Sequence, residues 1–268
     1  MSLFDQFANE YPPPVAAPVV LEPAYPAVRT QGGNPVFQLD RVQIPFAVVN
    51  LVCVAVANSL LAMAVEGHAT GGAARDPAAP RVQRIFRILL TQGDAIEEIE
   101  LQPRQKGDRI RRLFLDPTAR HMLISTEAGD NYYLFDRWQK PRPLSKMRGV
   151  IVESIAWGKP RSGSADPSTG VILIGSRQGH IYEAELQPTD EFFKREERYF
   201  KQVYSAVGDN MPICGLRYER FPAVPRKYIV IAATPNRLNQ FIGTVSDAGG
   251  DGGIFGDLFR THENYYGA

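Results

Sequence analysis

Ile110-Arg111-Arg112-Leu113-Phe114-Leu115, then Asp116-Pro117-Thr118, then Met122-Leu123-Ile124-Ser125-Thr126, then Gly129-Asp130, then Tyr132-Tyr133-Leu134-Phe135: this stretch reads as three short apolar strands joined by two turns. Asp before Pro suits a type I turn, because proline supplies φ at its second position. Each run is four to six residues long and rich in aromatic and branched side chains, which favours strand over helix.

Downstream the same unit recurs. Val152–Trp157 and Val171–Ser176 are followed by a turn at Gly179 and by Ile181–Leu186. Ile213–Tyr218 and Tyr228–Ala233 are followed by Asn236 and Leu238–Gly243. Upstream, Leu51–Val56 and Leu60–Val65 flank Asn58-Ser59 as a hairpin, with Ile85–Leu90 as a later strand of that unit. The second strands end at Thr126, Ser176 and Thr234, near the roughly 40–50 residue period of four-stranded propeller blades with some longer loops. The fold class expected is all-β: a partial β-propeller of about three to four blades of four-stranded antiparallel sheet, truncated from a larger propeller. Val171–Ile174 and Ile229–Ala233 are apolar on both faces, as strands packed between blades should be. Ile181–Leu186 alternates, which places Glu183 and Glu185 together on a face expected to meet water. Thr189–Val203 fits a charged helix or an outer strand carrying Phe192, Phe193, Tyr199 and Phe200 about equally well.

The organisation read from the chain is a Pro-rich leader over residues 1–45 and the N-terminal part of a propeller over residues 46–268. Eight of the 21 prolines fall in the leader, a density at which neither helix nor central strand survives; it is expected to be disordered and to touch the domain, if anywhere, through Val36-Phe37-Gln38-Leu39. The apolar run Phe46–Val65 approaches the length of a membrane helix, yet Asn50, Asn58 and Ser59 and its Val/Ala content favour the hairpin. With a net charge of +1, no global field recruits nucleic acid. Cys53 and Cys214, each with apolar neighbours, are expected as buried free thiols in a reducing compartment. Met1-Ser2-Leu3-Phe4-Asp5 lacks the pattern of a secretory signal, so a cytosolic location is expected.

No catalytic, cofactor or metal site assembles. His180 and Glu183, three apart on a strand, point to opposite faces, and His180 is expected to cap its hairpin. His121 and Ser125 share a face but lie roughly 13 Å apart at 3.3 Å per residue. Gly249-Gly250-Asp251-Gly252-Gly253 lacks the Lys-Ser/Thr of a phosphate loop and reads as an inter-strand loop. Arg109, Arg111 and Arg112, with Lys140, Arg142, Lys146 and Arg148, read as solvated edges, with Arg109 and Arg111 on one face and Arg112 on the other. Past the glycine run, Ile254–Phe259 is apolar enough for a blade's outer strand; the sharper alternative makes Phe255, Leu258 and Phe259 an exposed hook for a partner.

The run Ile172-Leu173-Ile174-Gly175-Ser176-Arg177-Gln178-Gly179-His180-Ile181-Tyr182-Glu183-Ala184-Glu185-Leu186 resembles the signature of the vacuolar protein sorting-associated protein 18, or deep-orange, family. Phe114–Thr118, Val150–Trp157, and Gln240–Gly243 with Phe255 and Leu258-Phe259 resemble it too. The resemblance implies a non-catalytic scaffold subunit of the class C vacuolar protein sorting tethering complexes, HOPS and CORVET. It implies other class C subunits, SNARE regulators and small-GTPase-linked subunits as partners. Through the complex it also implies peripheral attachment to late endosome and vacuole or lysosome membranes, in support of vesicle tethering and membrane fusion. Two other readings stay open: a peptide-binding propeller outside trafficking, and a propeller enzyme whose site lies at the central channel near Thr126, Ser176 and Thr234.

Overall fold

The computed structural model describes residues 44–68, 81–91, 95–136, 138–159, 166–190, 194–205, 211–246 and 253–266. Residues 1–43 of the Pro-rich leader, Phe192, Phe193 and Gly249 to Gly252 lie outside the described residues. Four antiparallel sheets follow one another along the chain, each laid down in chain order. The first holds β1 (Val48–Ala57), β2 (Leu60–His68), β3 (Arg81–Leu89) and β4 (Ala95–Ile99). The second holds β5 (Ile110–Leu115), β6 (His121–Thr126), β7 (Asn131–Phe135) and the two-residue β8 (Arg142–Pro143). The third holds β9 (Val152–Ala156), β10 (Val171–Ser176), β11 (His180–Leu186) and β12 (Glu197–Ser205). The fourth has three strands, β13 (Gly215–Arg220), β14 (Lys227–Ala233) and β15 (Leu238–Thr244), and is followed by the helix α1 (Gly256–Tyr266).

The first strand of each sheet touches the first strand of the next, β1 to β5 to β9 to β13. The four sheets are therefore blades radiating from a common inner edge, the arrangement of a β-propeller. A separate apolar layer fills each junction. Ala62, Ala64 and Ile85 meet Leu113, Ile124 and Leu134 between the first two sheets. Leu123 and Tyr133 meet Ile172, Ile174 and Leu186 between the second and third. Leu173 and Ile181 meet Val230, Ala232 and Phe241 between the third and fourth. A strand with a sheet on either side must be apolar on both faces, and Ile172, Leu173 and Ile174 are fully buried. In β14, by contrast, Val230 and Ala232 are buried while Ile229 and Ile231 are only half-buried, because the fourth sheet has a neighbour on one face.

Turn chemistry is local. Asn58 (φ 43°) and Ser59 (φ 61°) both adopt left-handed backbone, which makes the β1–β2 connection the mirror-image turn that matches strand twist. Gly129 and Gly179, each at φ 81°, serve the β6–β7 and β10–β11 hairpins, where a side chain would be strained. Within Thr189–Val203, the part from Glu197 onward is strand, as β12. Ile254–Phe259 is not an outer strand: from Gly256 it is helical. Cys214 is exposed, not buried, and Cys53 is half-buried. Ile213 takes the inward position beside Cys214, and burial pushes the Cys53 thiol pKa up.

Candidate interaction surface

Phe255, Leu258 and Phe259 are buried, so they do not form an exposed hook. They enter the cleft between the third and fourth sheets. The Phe255 ring meets Tyr218 and Tyr228 edge-on, with centroids 5.0 and 5.3 Å away. Phe259 lies 5.0 Å from Phe241 and 5.5 Å from Tyr204. Such ring pairs are favoured beyond their buried area. Leu258 packs against Gly243, where an added Cβ would touch it at 3.4 Å. Spacing of three and four residues puts these side chains on one helical face, whereas in a strand Leu258 would face away from Phe255 and Phe259.

Glu183 is fully buried, contrary to the water-facing position read from the alternation of β11. The alternation itself is right, but the Glu183 face meets the segment leading into α1. Glu183 Oε1 accepts the N–H of Ile254 at 2.5 Å and the hydroxyl of Tyr199 at 3.1 Å, and Oε2 accepts the N–H of Phe255 at 2.9 Å. Burial beside this carboxylate raises the Tyr199 pKa, which keeps the hydroxyl protonated as a donor.

Several of the basic residues pair with carboxylates across the junctions between sheets. Arg109 pairs with Glu66 at 2.8 Å across the first junction. Arg111 and Arg112 both reach Glu153 across the second, as does Arg142 to Glu196 at 3.0 Å. Lys159 meets Glu219 at 2.6 Å across the third, and holds its carboxyl below the usual carboxylate range. Arg111 and Arg112 were expected on opposite faces; a register shift between Ile110 and Arg112 inserts a bulge that lets neighbours point the same way. Lys140 and Arg148 pair with Glu100 and Asp130. Arg111 and Arg142 are half-buried, whereas Arg109, Arg112, Lys140, Lys146 and Arg148 remain exposed, so most of these cations stay on solvated edges while pairing there.

The residues proposed for chemistry each serve a turn or a strand. Thr126 Oγ1 accepts the Asp130 N–H at 3.0 Å, Ser176 Oγ accepts that of His180 at 3.1 Å, and Thr234 Oγ1 accepts that of Arg237 at 3.1 Å. One hairpin device thus recurs in three successive sheets. His180 Nδ1 lies 3.0 Å from Ser205 Oγ, on the neighbouring strand. His121 meets Tyr133, and Ser125 accepts the N–H of Val152 at 3.2 Å, so the two do not meet. Among the described residues, no three His, Cys, Asp or Glu side chains are grouped to hold a metal ion, and no helix is long and apolar enough to cross a membrane.

The exposed large apolar residues fall on the outermost sheets. Val48, Val49, Leu51, Val54 and Val56 line β1, Leu89 ends β3 and Leu90 follows it; the others are Val224, Leu238 and Ile242 in the fourth sheet and its turn. The inner two sheets expose none of this kind among the described residues.

Four chain-ordered antiparallel blades with apolar junctions and uncovered outer faces define an open segment of β-propeller. A family described as the Pep3/Vps18/deep orange beta-propeller domain matches residues 35–266. The chain belongs to that family. It is 37% identical over 184 residues to a vacuolar protein sorting-associated protein 18 homolog of Danio rerio, covering 67% of this chain and 18% of that protein. It is 29% identical over 160 residues to vacuolar sorting protein 18 of Arabidopsis thaliana, covering 54% and 15%. It is 28% identical over 174 residues to the vacuolar membrane protein pep3 of Schizosaccharomyces pombe, covering 63% and 17%. The chain thus spans less than a fifth of the length of these relatives. Among solved structures, the Cps50 (Swd1) beta-propeller domain of Myceliophteria thermophila aligns with 12% identity and a TM-score of 0.41, over 73% of this chain and 56% of that one.

Proposed function

We propose that this chain is a non-catalytic scaffold segment of a vacuolar protein sorting subunit, working within the HOPS and CORVET class of tethering complexes. The observation that carries the reading is the family match over residues 35–266, in which every relative named above is named for the vacuole or its sorting. Its partners are the other class C subunits, SNARE regulators and small-GTPase-linked subunits. It reaches late endosome and vacuole or lysosome membranes peripherally, through the complex, from the cytoplasm. Chemistry at a central channel would need converging polar groups; Thr126, Ser176 and Thr234 each close their own hairpin instead, which favours the scaffold reading. Residues 46–268 carry the propeller part and residues 1–45 a leader outside it.

Affinity purification of the tagged protein from its own cells, followed by mass spectrometry, tests this. A stoichiometric set of large propeller-containing subunits with SNARE regulators is the expected result. Recovery of the tagged protein with no such set would overturn the tethering role and leave the propeller fold.

A further inference from the structure

An excess of positive charge lies in the fourth sheet, and the role above makes no use of it. Residues 211–246 carry Arg217, Arg220, Arg226, Lys227 and Arg237 against the single acid Glu219, whereas the whole chain carries 30 basic and 29 acidic side chains. Glu219 is held by two cations of its own, Arg217 at 2.8 Å and Lys159 at 2.6 Å. Arg220, Arg226 and Lys227 border the β13–β14 turn, and the turn itself, residues 221–226, contains no acid.

The turn is built to project. The N–H of Phe221 donates to the Lys227 carbonyl at 2.9 Å and closes its base, and the N–H of Val245 donates to the Arg226 carbonyl at 2.9 Å and ties it to the end of β15. Lys227 Nζ lies 5.4 Å from the centre of the Phe221 ring. Beyond this base Pro222, Ala223, Val224, Pro225 and Arg226 are all exposed. Two prolines fix φ there, and Arg226 holds a left-handed φ of 58°, so the tip has little freedom to lose when it is seated on a surface.

An apolar tip bordered by cations is the composition of a segment that lies in a membrane interface, where apolar side chains enter the acyl boundary and Lys and Arg meet anionic headgroups. A nucleic acid backbone would meet the cations but leave Val224 and the two prolines in water. We propose that the β13–β14 turn docks directly on an anionic phospholipid surface, with Val224 at the headgroup boundary and Arg220, Arg226 and Lys227 against the lipid headgroups. This deepens the peripheral attachment proposed above and rests on that reading only for which membrane is met. Each such cation contributes about fivefold to membrane affinity, so one turn binds weakly alone, and the other attachments of a complex multiply it.

The test uses the whole purified chain in flotation with vesicles of phosphatidylcholine and phosphatidylserine, compared with vesicles of phosphatidylcholine alone. The expected result is partition at least about tenfold stronger onto the anionic vesicles, lost at high salt. Arg220→Ser combined with Arg226→Asn should weaken it at least about tenfold, asparagine being chosen because it tolerates the left-handed backbone. Val224→Asp alone should weaken it at least about threefold. Arg104→Ser combined with Lys106→Asn removes the same charge from another exposed loop and should leave binding within about twofold; all five positions are exposed, so the variants keep the fold. No preference for the anionic vesicles, an equal loss in the Arg104 and Lys106 control, or binding indifferent to Val224→Asp overturns the proposal. None of these outcomes bears on which subunits co-purify with the tagged protein, so failure of this inference and failure of the sorting role are told apart.

Discussion

His121 Nδ1 lies 2.8 Å from the hydroxyl of Tyr133, with both side chains buried in the second sheet. Burial lowers the His121 pKa below its ordinary 6.5, against an opposing pull from Asp116 and Asp136 and with help from Arg120. The folded state therefore prefers neutral imidazole, and the unfolded chain binds the extra proton first as pH falls. Stability from this group is complete above pH 6.5 and declines below it. Thermal unfolding followed from pH 7.5 to 5.5 should show a falling midpoint, and His121→Gln should flatten that slope. An unchanged slope in the variant would remove His121 as its source.

Arg111 and Arg112 share Glu153, but not equally. The Arg111 side chain is 25% exposed and that of Arg112 46%, above a carboxylate that is 5% exposed. Arg111→Ala should cost about 2–3 kcal/mol by leaving a buried charge under-compensated, and Arg112→Ala less than about 1 kcal/mol, since water screens it. Urea titrations of both variants decide; equal losses would contradict the ordering.

The amide nitrogen of Asn131 lies 3.1, 2.9 and 2.8 Å from the carbonyls of Gly129, Met147 and Val150. It ties the connection between the second and third sheets to the β6–β7 hairpin. Asn131→Leu should destabilise by about 1–3 kcal/mol, because the Val150 carbonyl loses the amide while those of Gly129 and Met147 keep only the N–H of Gly149 and of Val150. Loss of less than about 0.5 kcal/mol in the same titration would show that water replaces the amide.

Cysteine reactivity should separate the two thiols. Cys214 is exposed, while Cys53 is half-buried with its pKa raised by desolvation. Since the thiolate is the nucleophile, iodoacetamide at pH 8 should modify Cys214 first, as read by peptide mass spectrometry. Faster labelling of Cys53 would contradict the placement of β1 beside β5.

Val54, Val56 and Leu238 are 50%, 65% and 73% exposed on the outermost sheets. Uncovered apolar strand surface promotes association. The triple change Val54→Thr, Val56→Thr, Leu238→Ser should reduce concentration-dependent self-association in sedimentation experiments and shift the unfolding midpoint little. Unaltered self-association would place the contact elsewhere.

Much of the blade order was readable because it rests on local signals. The alternation of apolar runs with Asp116-Pro117, Asn58-Ser59, Gly129 and Gly179 places strands and hairpins, since turn geometry depends on a few adjacent residues. Harder to read was any position whose environment comes from a distant segment. Glu183 looked solvent-facing because nothing in β11 announces residues 254 and 255. Arg112 looked opposed to Arg111 because a bulge is a property of a strand pair. Ile254–Phe259 reads as an outer strand because it is apolar, and packing of Phe255, Leu258 and Phe259 against Tyr218, Phe241 and Tyr204 decides for the helix instead.

By itself, then, the chain's order of residues determined the propeller class, the succession of blades and the family, all of which follow from period, turn chemistry and a shared run around Gly179. Only the tertiary structure decided which charges are buried, which cations bind sheets together and what fills the cleft between the third and fourth sheets. Desolvation and ion pairing depend on through-space neighbours tens of residues away, and local sequence patterns carry no record of them.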